Sequence, residues 1–445
     1  MSAPLRSRAL AAAATALCLG LTASACASSG SGGSGTEGNG KGTITFWDNN
    51  GGPDRTPVWK KIIADFEAAN PGIKVEYVGI PTKDVQQKYD TAAAGGGLPD
   101  VGGVGTAYLA DLAAQGVLEP LDDRLATSSL NGKIIKSFED IVRSSGTSDK
   151  LFAVPTSANL GTIWYRTDLF QAAGLQPPTT WDAFYAAAQK LTDPAHNHFG
   201  FTIRGGAGSV AQALEMMYAQ SGVDTFWNGD TTTVNDPRNV AALEKYVGLY
   251  KKATPSADVN NDYTKMVAQF DNGDIGMMQH NLGSYQNHID TLGKDKIDGV
   301  PLPSSAPGSP RTAVSNPVDG IGLFKTSKNK EAAWKFIEFA ASHTENSYWN
   351  EKAGSIPANT DAATDSWIKD SKPTQVAQQA MNDPNTKIVQ LPYYLPEWNS
   401  ASKAEMEPVF QKLLLGQVSA KDFCDQFAEK LNKAQADWKQ RNGKG

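Results

Sequence analysis

Trp398 stands in a polar loop between Glu397 and Asn399, a poor place for a core residue. The chain carries 10 Trp and 13 Tyr, more than a core of this size needs. Such rings, with planar amides and carboxylates near them, can hold a ligand without breaking a bond. Aromatic faces cover the C–H faces of a sugar ring. Amides and carboxylates satisfy its hydroxyls in a desolvated cleft, where an unpaired polar group costs about 1–3 kcal/mol. Asn49 and Asn50 follow a β-rich run, and Asn159 ends the polar step Thr156-Ser157-Ala158-Asn159. These amides are candidate contacts, with Tyr108 and Trp227 as further aromatic candidates. Trp181 and Trp334 fall on helical patterns and are expected in the core.

Other chemistries fit less well. The run Asp48-Asn49-Asn50-Gly51-Gly52 starts like a calcium loop, but Trp59 stands where the bidentate Glu belongs. His196 and His198 lie in a Pro/Asn loop with no Cys partner, short of the three or four ligands that zinc needs. Met216 and Met217 read as core filler. Gly95-Gly96-Gly97 lacks the Gly-Lys-Ser/Thr ending of a phosphate loop. The Tyr393-Tyr394 pair suggests iron capture, against which the neighbouring prolines argue. A glycoside hydrolase needs a carboxylate pair across a cleft, and the 47 acidic residues leave that alternative open. No cofactor and no metal are expected.

The 445 residues, 40% of them hydrophobic, can bury a large core and are long for one domain. The formal net charge of −6 argues against a nucleic-acid partner. At the N-terminus, Arg6 and Arg8 precede the apolar run from Ala9 to Leu21, and small residues lead to Cys26. This pattern predicts a secretory signal peptide over 1–25. A Gly/Ser-rich stretch, 26–42, reads as a flexible tether. With Cys18 removed and Cys26 modified, Cys424 is a lone thiol on a helical pattern, expected to be inert.

Thr43-Ile44-Thr45-Phe46-Trp47 alternates as a strand. Thr56 before Pro57 predicts a helix start, and Val58, Trp59, Ile62, Ile63 and Phe66 make one apolar face. Ile73, Val75 and Tyr77 give the next strand. This is a βαβ unit, which implies parallel-rich sheets. Open α/β sheets bind ligands at the carboxyl ends of their strands, which places Asp48, Asn49 and Asn50 toward a ligand. From Leu151 the chain runs through an apolar segment, the polar step at 156–159, the strand-like run Thr162-Ile163-Trp164-Tyr165, a short helix stopped by Gly174, and a helix opening at Thr180. A strand, a polar step and a second strand can carry a chain from one lobe to another.

The segment from Leu151 to Leu191, with Pro155, Tyr165 and DLFQAAGLQPPTTW, resembles the extracellular solute-binding proteins of bacterial ABC importers. The resemblance is to the carbohydrate-binding family that includes maltose-binding protein. GGGLPDV with LADLAAQGVLEPLD, DNGDIGMMQHNLGSY, SKNKEAAWKF and AGSIPAN match further elements in the right order. LTASAC resembles a lipobox with Cys26 as the acylated residue, though Ala23 stands where Leu is preferred.

The resemblance implies an α/β, two-lobe periplasmic-binding-protein-like fold with a ligand cleft between discontinuous lobes. The boundaries expected are 43–156 with 312–365 for the N-terminal lobe, and 157–311 with 366–445 for the C-terminal lobe. It implies a non-enzyme that captures a carbohydrate by hinge closure and delivers it to membrane permease subunits; the amide and aromatic candidates point to a neutral one, and the abundance of aromatics to a di- or oligosaccharide. It implies an extracytoplasmic monomer, lipid-anchored through Cys26 to the outer face of the cytoplasmic membrane. It adds Tyr285 and Asp319 to the candidate contacts, and Trp398 as a stacking ring with Glu397 beside it. Trp398→Ala is then expected to weaken sugar binding by about 1–3 kcal/mol. A glutamate stands at the place of Asn159 in maltose-binding protein, so the amide here speaks against maltose while keeping a hydroxyl-binding role. The rival within transport is a glycerol-phosphate ester, for which Arg204 beside Gly205-Gly206 is the candidate anion contact.

Overall fold

The computed structural model describes residues 37–443 apart from Thr147, Pro307, Asn316 and Pro317. The expected signal peptide, Cys18, Cys26 and the tether up to residue 36 lie outside the described residues.

Strand β1 (Gly42–Asp48) points Ile44 and Phe46 into the core, as its alternation predicts. The Thr56–Ala69 helix buries Val58, Trp59, Ile62, Ile63 and Phe66 and leads to β2 (Ile73–Gly79), parallel to β1. Its N-cap is Arg55, not Thr56, and carries no side-chain cap. The Thr56 hydroxyl is instead 3.1 Å from the Tyr77 hydroxyl. Strand β3 (Val101–Gly103) joins β1 in parallel on its other side.

The chain then changes sheets. Strand β4 (Val154–Ala158) belongs to the first sheet and β5 (Gly161–Arg166) to the second, with Asn159 and Leu160 between them. The second sheet adds β6 (Phe199–Thr202). A hairpin of β7 (Trp227–Asn228) and β8 (Thr231–Thr232) stands apart. Strands β9 (Ile275–Asn281) and β10 (Ile297–Pro301) complete the second sheet in the order β10-β5-β9-β6. Strand β11 (Thr312–Val314) pairs in parallel with β14 (Lys387–Val389).

The return segment supplies β12 (Asp319–Leu323) and β13 (Ile356–Pro357) to the first sheet, whose order is β13-β4-β12-β3-β1-β2. Strand β12 is antiparallel to both β3 and β4. The sheets are thus mixed where the βαβ pattern implied parallel-rich ones. A returning strand that arrives from the opposite end needs no crossover helix.

The second sheet is covered on both faces. Ile163, Tyr165, Phe201 and Met277 enter one apolar cluster with the helices at Trp181–Lys190 and Ser209–Ser221. Trp164 and Met278 enter the other cluster, which also fills the first lobe. Trp181 and Trp334 are both buried, 7% and 6% exposed. No helix among the described residues is long and apolar enough to cross a membrane.

Candidate functional site

Four strand ends meet at one edge of the first sheet: Asp48 on β1, Gly103 on β3, Ser157 on β4 and Asp319 on β12. Asp48 is 2% exposed and its two oxygens are already committed. The Tyr77 hydroxyl donates to Oδ2 at 2.8 Å, and the Asn50 backbone N–H donates to Oδ1 at 3.0 Å. Burial pushes its pKa above the usual carboxylate value, opposed by those two donors and by Arg55. Asp48 therefore shapes the turn that presents Asn49.

Asn49 lies over Gly103 so closely that a Cβ there would fall 2.2 Å from the Asn49 Oδ1. A side chain at 103 would push the Asn49 amide out of this position. Asn50 turns toward its own lobe, where its Oδ1 accepts the Thr82 hydroxyl at 3.0 Å. Asp319 accepts the Ser157 hydroxyl at 3.2 Å, and burial raises its pKa against the pull of Arg55. It keeps accessible surface. Gly105 adjoins it and caps the Thr106–Ala114 helix, which carries the buried Tyr108. Asn159, on the link between the sheets, is half-buried, and its Oδ1 has no protein partner. The structure thus brings Asn49, Tyr108 and Asp319 to one end of the cleft.

The second lobe faces them with residues from four segments. His280, at the end of β9, lies 4.8 Å from the Tyr263 ring, and burial holds its imidazole well below the ordinary value and so neutral. Arg204 follows β6, its Nε donating to the Ala207 carbonyl. Glu407 accepts the Gly208 backbone N–H at the N-terminus of the Ser209–Ser221 helix, and Arg204 acts on it electrostatically. Lys403 comes from a π-helical turn, Ser400–Glu405, and its Nζ lies 5.3 Å from the centroid of the Tyr108 ring in the first lobe. Such turns recur at functional sites.

Direct bonds join the lobes on both rims. Asn399 Nδ2 donates to Gln86 Oε1 at 3.1 Å and to the Ala107 carbonyl. Asn287 Nδ2 donates to Asp54 Oδ2 at 3.0 Å. Arg55 leaves its N-cap, lies 5.9 Å from the Trp349 ring centroid, and reaches the turn at Gly283 in the second lobe.

Several expected contacts are engaged wholly or in part by packing or pairing within the second lobe. Trp398 is 6% exposed, because Phe226, Tyr393 and Phe427 cover its ring at centroid distances of 6.1, 6.0 and 6.1 Å. Its loop is polar in sequence, yet the indole completes the second-lobe core. Tyr285 stacks on the fully buried Trp164 at 5.5 Å and 7°, so one face is spent on packing. Trp227 sits on β7 against Phe226 at 5.4 Å. Glu397 pairs with Arg441 at 2.7 Å, and its Oε2 has no protein partner.

Tyr393 and Tyr394 also serve packing. Their hydroxyls donate to the Ser315 carbonyl and to Gln435 Oε1. His196 lies 2.6 Å from Asp193 in an exposed turn. Cys424 is buried and its thiol is pushed up to about 12. Among the described residues, no three His, Cys, Asp or Glu side chains gather as metal ligands would.

Sequence reasoning missed Arg55, Tyr263, His280, Lys403 and Glu407. Only His280 lay in a stretch that carries the family resemblance, the run DNGDIGMMQHNLGSY.

The comparisons with known proteins agree with this architecture. Residues 52–347 match the family model described as bacterial extracellular solute-binding protein. The chain is 27% identical over 359 residues to the putative ABC transporter periplasmic-binding protein YcjN of Escherichia coli K12, covering 79% of this chain and 80% of that one. The structure of maltose-bound MalE3 of T. maritima superposes with a TM-score of 0.77 at 26% identity, covering 88% of this chain and 99% of that one. An ABC transporter solute-binding protein of Agrobacterium vitis S4 with bound D-mannitol gives 0.71 at 26% identity, covering 90% and 99%. The chain belongs to the bacterial extracellular solute-binding protein family.

Proposed function

We propose that this protein captures a neutral carbohydrate, a di- or oligosaccharide, between its two lobes and hands it to the permease subunits of an ABC importer. It acts outside the cytoplasm as a monomer, held at the membrane by a lipid on Cys26. It does no chemistry on its cargo. Asn49, Tyr108, Asn159 and Asp319 contact the ligand at the deep end of the cleft.

The observation that carries a neutral ligand over an anionic one is the position of Glu407. A helix N-terminus beside an arginine is a ready anion site. Here the carboxylate of Glu407 occupies that seat, on the Gly208 N–H and beside Arg204. A phosphate ester would have to displace it. The hydrolase alternative is disfavoured at this end of the cleft because Asp48 is buried and each of its oxygens already serves a protein donor, which leaves it little surface to offer opposite Asp319. The similar proteins from T. maritima and Agrobacterium vitis hold maltose and D-mannitol, both neutral and hydroxyl-rich.

Thermal unfolding against neutral sugars, polyols and sugar phosphates tests the reading. A ligand at a hundredfold excess over its Kd stabilises the folded form by about 2.7 kcal/mol. A shift with a neutral sugar recovered intact supports capture. A shift with phosphate esters alone, or breakdown of the sugar, overturns it.

A further inference from the structure

The residues that lead into β1 are fastened to the body. Glu37-Gly38-Asn39-Gly40-Lys41-Gly42 end the stretch whose composition reads as a flexible tether. They run along the start of the Lys330–Ala340 helix, which follows β12 in the return segment and packs Phe336 on Phe46 of β1 at 5.2 Å. The Glu37 carbonyl accepts the Glu331 backbone N–H at 2.8 Å. Glu331 lies in the first turn of that helix, where backbone donors have no partner within the helix.

Asn329, the N-cap, uses both ends of its amide. Oδ1 accepts the Ala332 N–H at 3.4 Å, and Nδ2 donates to the Lys41 carbonyl. Arg124 pairs with Glu37 and, at 3.4 Å, with Glu331. The Gly42 N–H donates to the Gly72 carbonyl at 2.7 Å, where the β1–β2 ladder opens. All of these partners lie in the first lobe.

Two glycines show that this arrangement is built. Gly38 and Gly40 have φ of 71° and 69°, where a side chain is strained. A Cβ at Gly38 would strike the Asn329 amide, and one at Gly40 would fall 2.9 Å from Lys335 Nζ. Gly40 is buried between exposed neighbours. In a free linker glycine serves by holding no fixed conformation. Here each glycine holds one.

From this we infer that residues 37–42 are a clasp that fastens the head of the chain to the return helix, so that the membrane anchor holds the first lobe and the second lobe is the one that swings on closure. The clasp stands on these contacts alone, while its part in anchoring rests on the lipid at Cys26 proposed above. With the clasp shut, the longest reach from Cys26 to the body falls from roughly 55 Å, measured to Gly42, to roughly 40 Å, measured to Glu37. A shorter link keeps the body more concentrated at the membrane.

The test is hydrogen exchange on the full mature chain, beside Gly38→Ala/Gly40→Ala and Arg124→Ala. The Glu331 amide is expected to exchange about tenfold faster in the glycine double variant than in the parent, the size of a lost helix cap. Arg124→Ala keeps both glycines and is expected to speed the same amide about threefold. The amides of β5, in the second sheet, report the fold and stay unchanged. If the double variant fails to fold, Arg124→Ala alone carries the test. A Glu331 amide that exchanges as fast in the parent as in the variants overturns the clasp, and the held first lobe with it. A slow Glu331 amide in a protein whose Cys26 peptide carries no lipid by mass overturns the anchoring and leaves the clasp.

Discussion

The backbone N–H of Gly208 donates to Oε1 of Glu407, so a carboxylate of the protein's own stands at the N-terminus of the Ser209–Ser221 helix. Gly208 has φ 84°, and the Arg204 guanidinium packs so tightly there that any Cβ would strike it. Burial raises the Glu407 pKa, while the Gly208 N–H, Arg204 and Lys403 hold its charge. Glu407→Gln removes that charge and leaves the donors. The variant is expected to bind inorganic phosphate with a Kd on the order of 1 mM, where the parent shows no heat. Equal phosphate binding by both proteins would place the anion seat elsewhere.

Asp319 trades stability for a polar anchor. One protein donor, Ser157, serves a carboxylate that burial disfavours in its charged form. Asp319→Asn is expected to make the ligand-free protein more stable at neutral pH by about 1 kcal/mol, while weakening carbohydrate capture by about 1–3 kcal/mol. Urea unfolding and calorimetry read the two effects separately. A variant that is less stable and binds unchanged would remove Asp319 from the site.

Asp258 gives the fold a pH dependence. It is fully buried, its Oδ2 accepts the Ile203 N–H at 2.7 Å, and it thereby fixes the segment that leads to Arg204. Burial lifts its pKa from 3.8 to about 7. Between those values the folded protein keeps a proton that the unfolded chain has lost. Its contribution is therefore fully present below the unfolded value, falls as pH rises toward about 7, and is flat above. A shift of about three units corresponds to roughly 4 kcal/mol at most. The urea midpoint of the parent should fall relative to that of Asp258→Asn between about pH 4 and about pH 7, and the two should run parallel above about pH 8. A constant gap throughout would show that the group does not titrate there.

Trp398 is now tied to the core before the ligand. Removing an indole packed on Phe226, Tyr393 and Phe427 should cost about 3–5 kcal/mol of stability in Trp398→Ala. Trp398→Phe keeps a ring in place and should recover most of that, with sugar affinity within about threefold of the parent. A stable Phe variant that loses affinity tenfold or more would return the indole to the cleft.

The first βαβ unit was legible because its apolar spacing is local: Ile44 and Phe46 alternate, and Val58 to Phe66 recur on one helix face. The change of sheets was legible only in part: most of the polar step at 156–159 is the end of β4, and Asn159 and Leu160 alone make the link. Trp398 misled because its sequence neighbours are polar while its packing partners lie far along the chain. Lys403 and Glu407 carry no mark at all. The buried face of the Met406–Leu414 helix, with Phe410 and Leu413, predicts which side is covered. It cannot say whether the other side meets water or the facing lobe. Arg55 became a cleft residue because the helix begins one place away from its best capping hydroxyl, which leaves the guanidinium free to cross to Gly283.

The central place of β12 has a kinetic consequence. Strand β4 pairs only with β12 and β13, and β12 alone joins β4 to β3. Until residues 319–323 arrive, the first sheet lacks its middle, and β4 has no edge to dock on. Closing it requires contacts between segments far apart in sequence, which slows folding. The first lobe should therefore stay incomplete through most of the chain's synthesis, a state in which it can still be threaded through a narrow channel, and close only once the return segment is delivered.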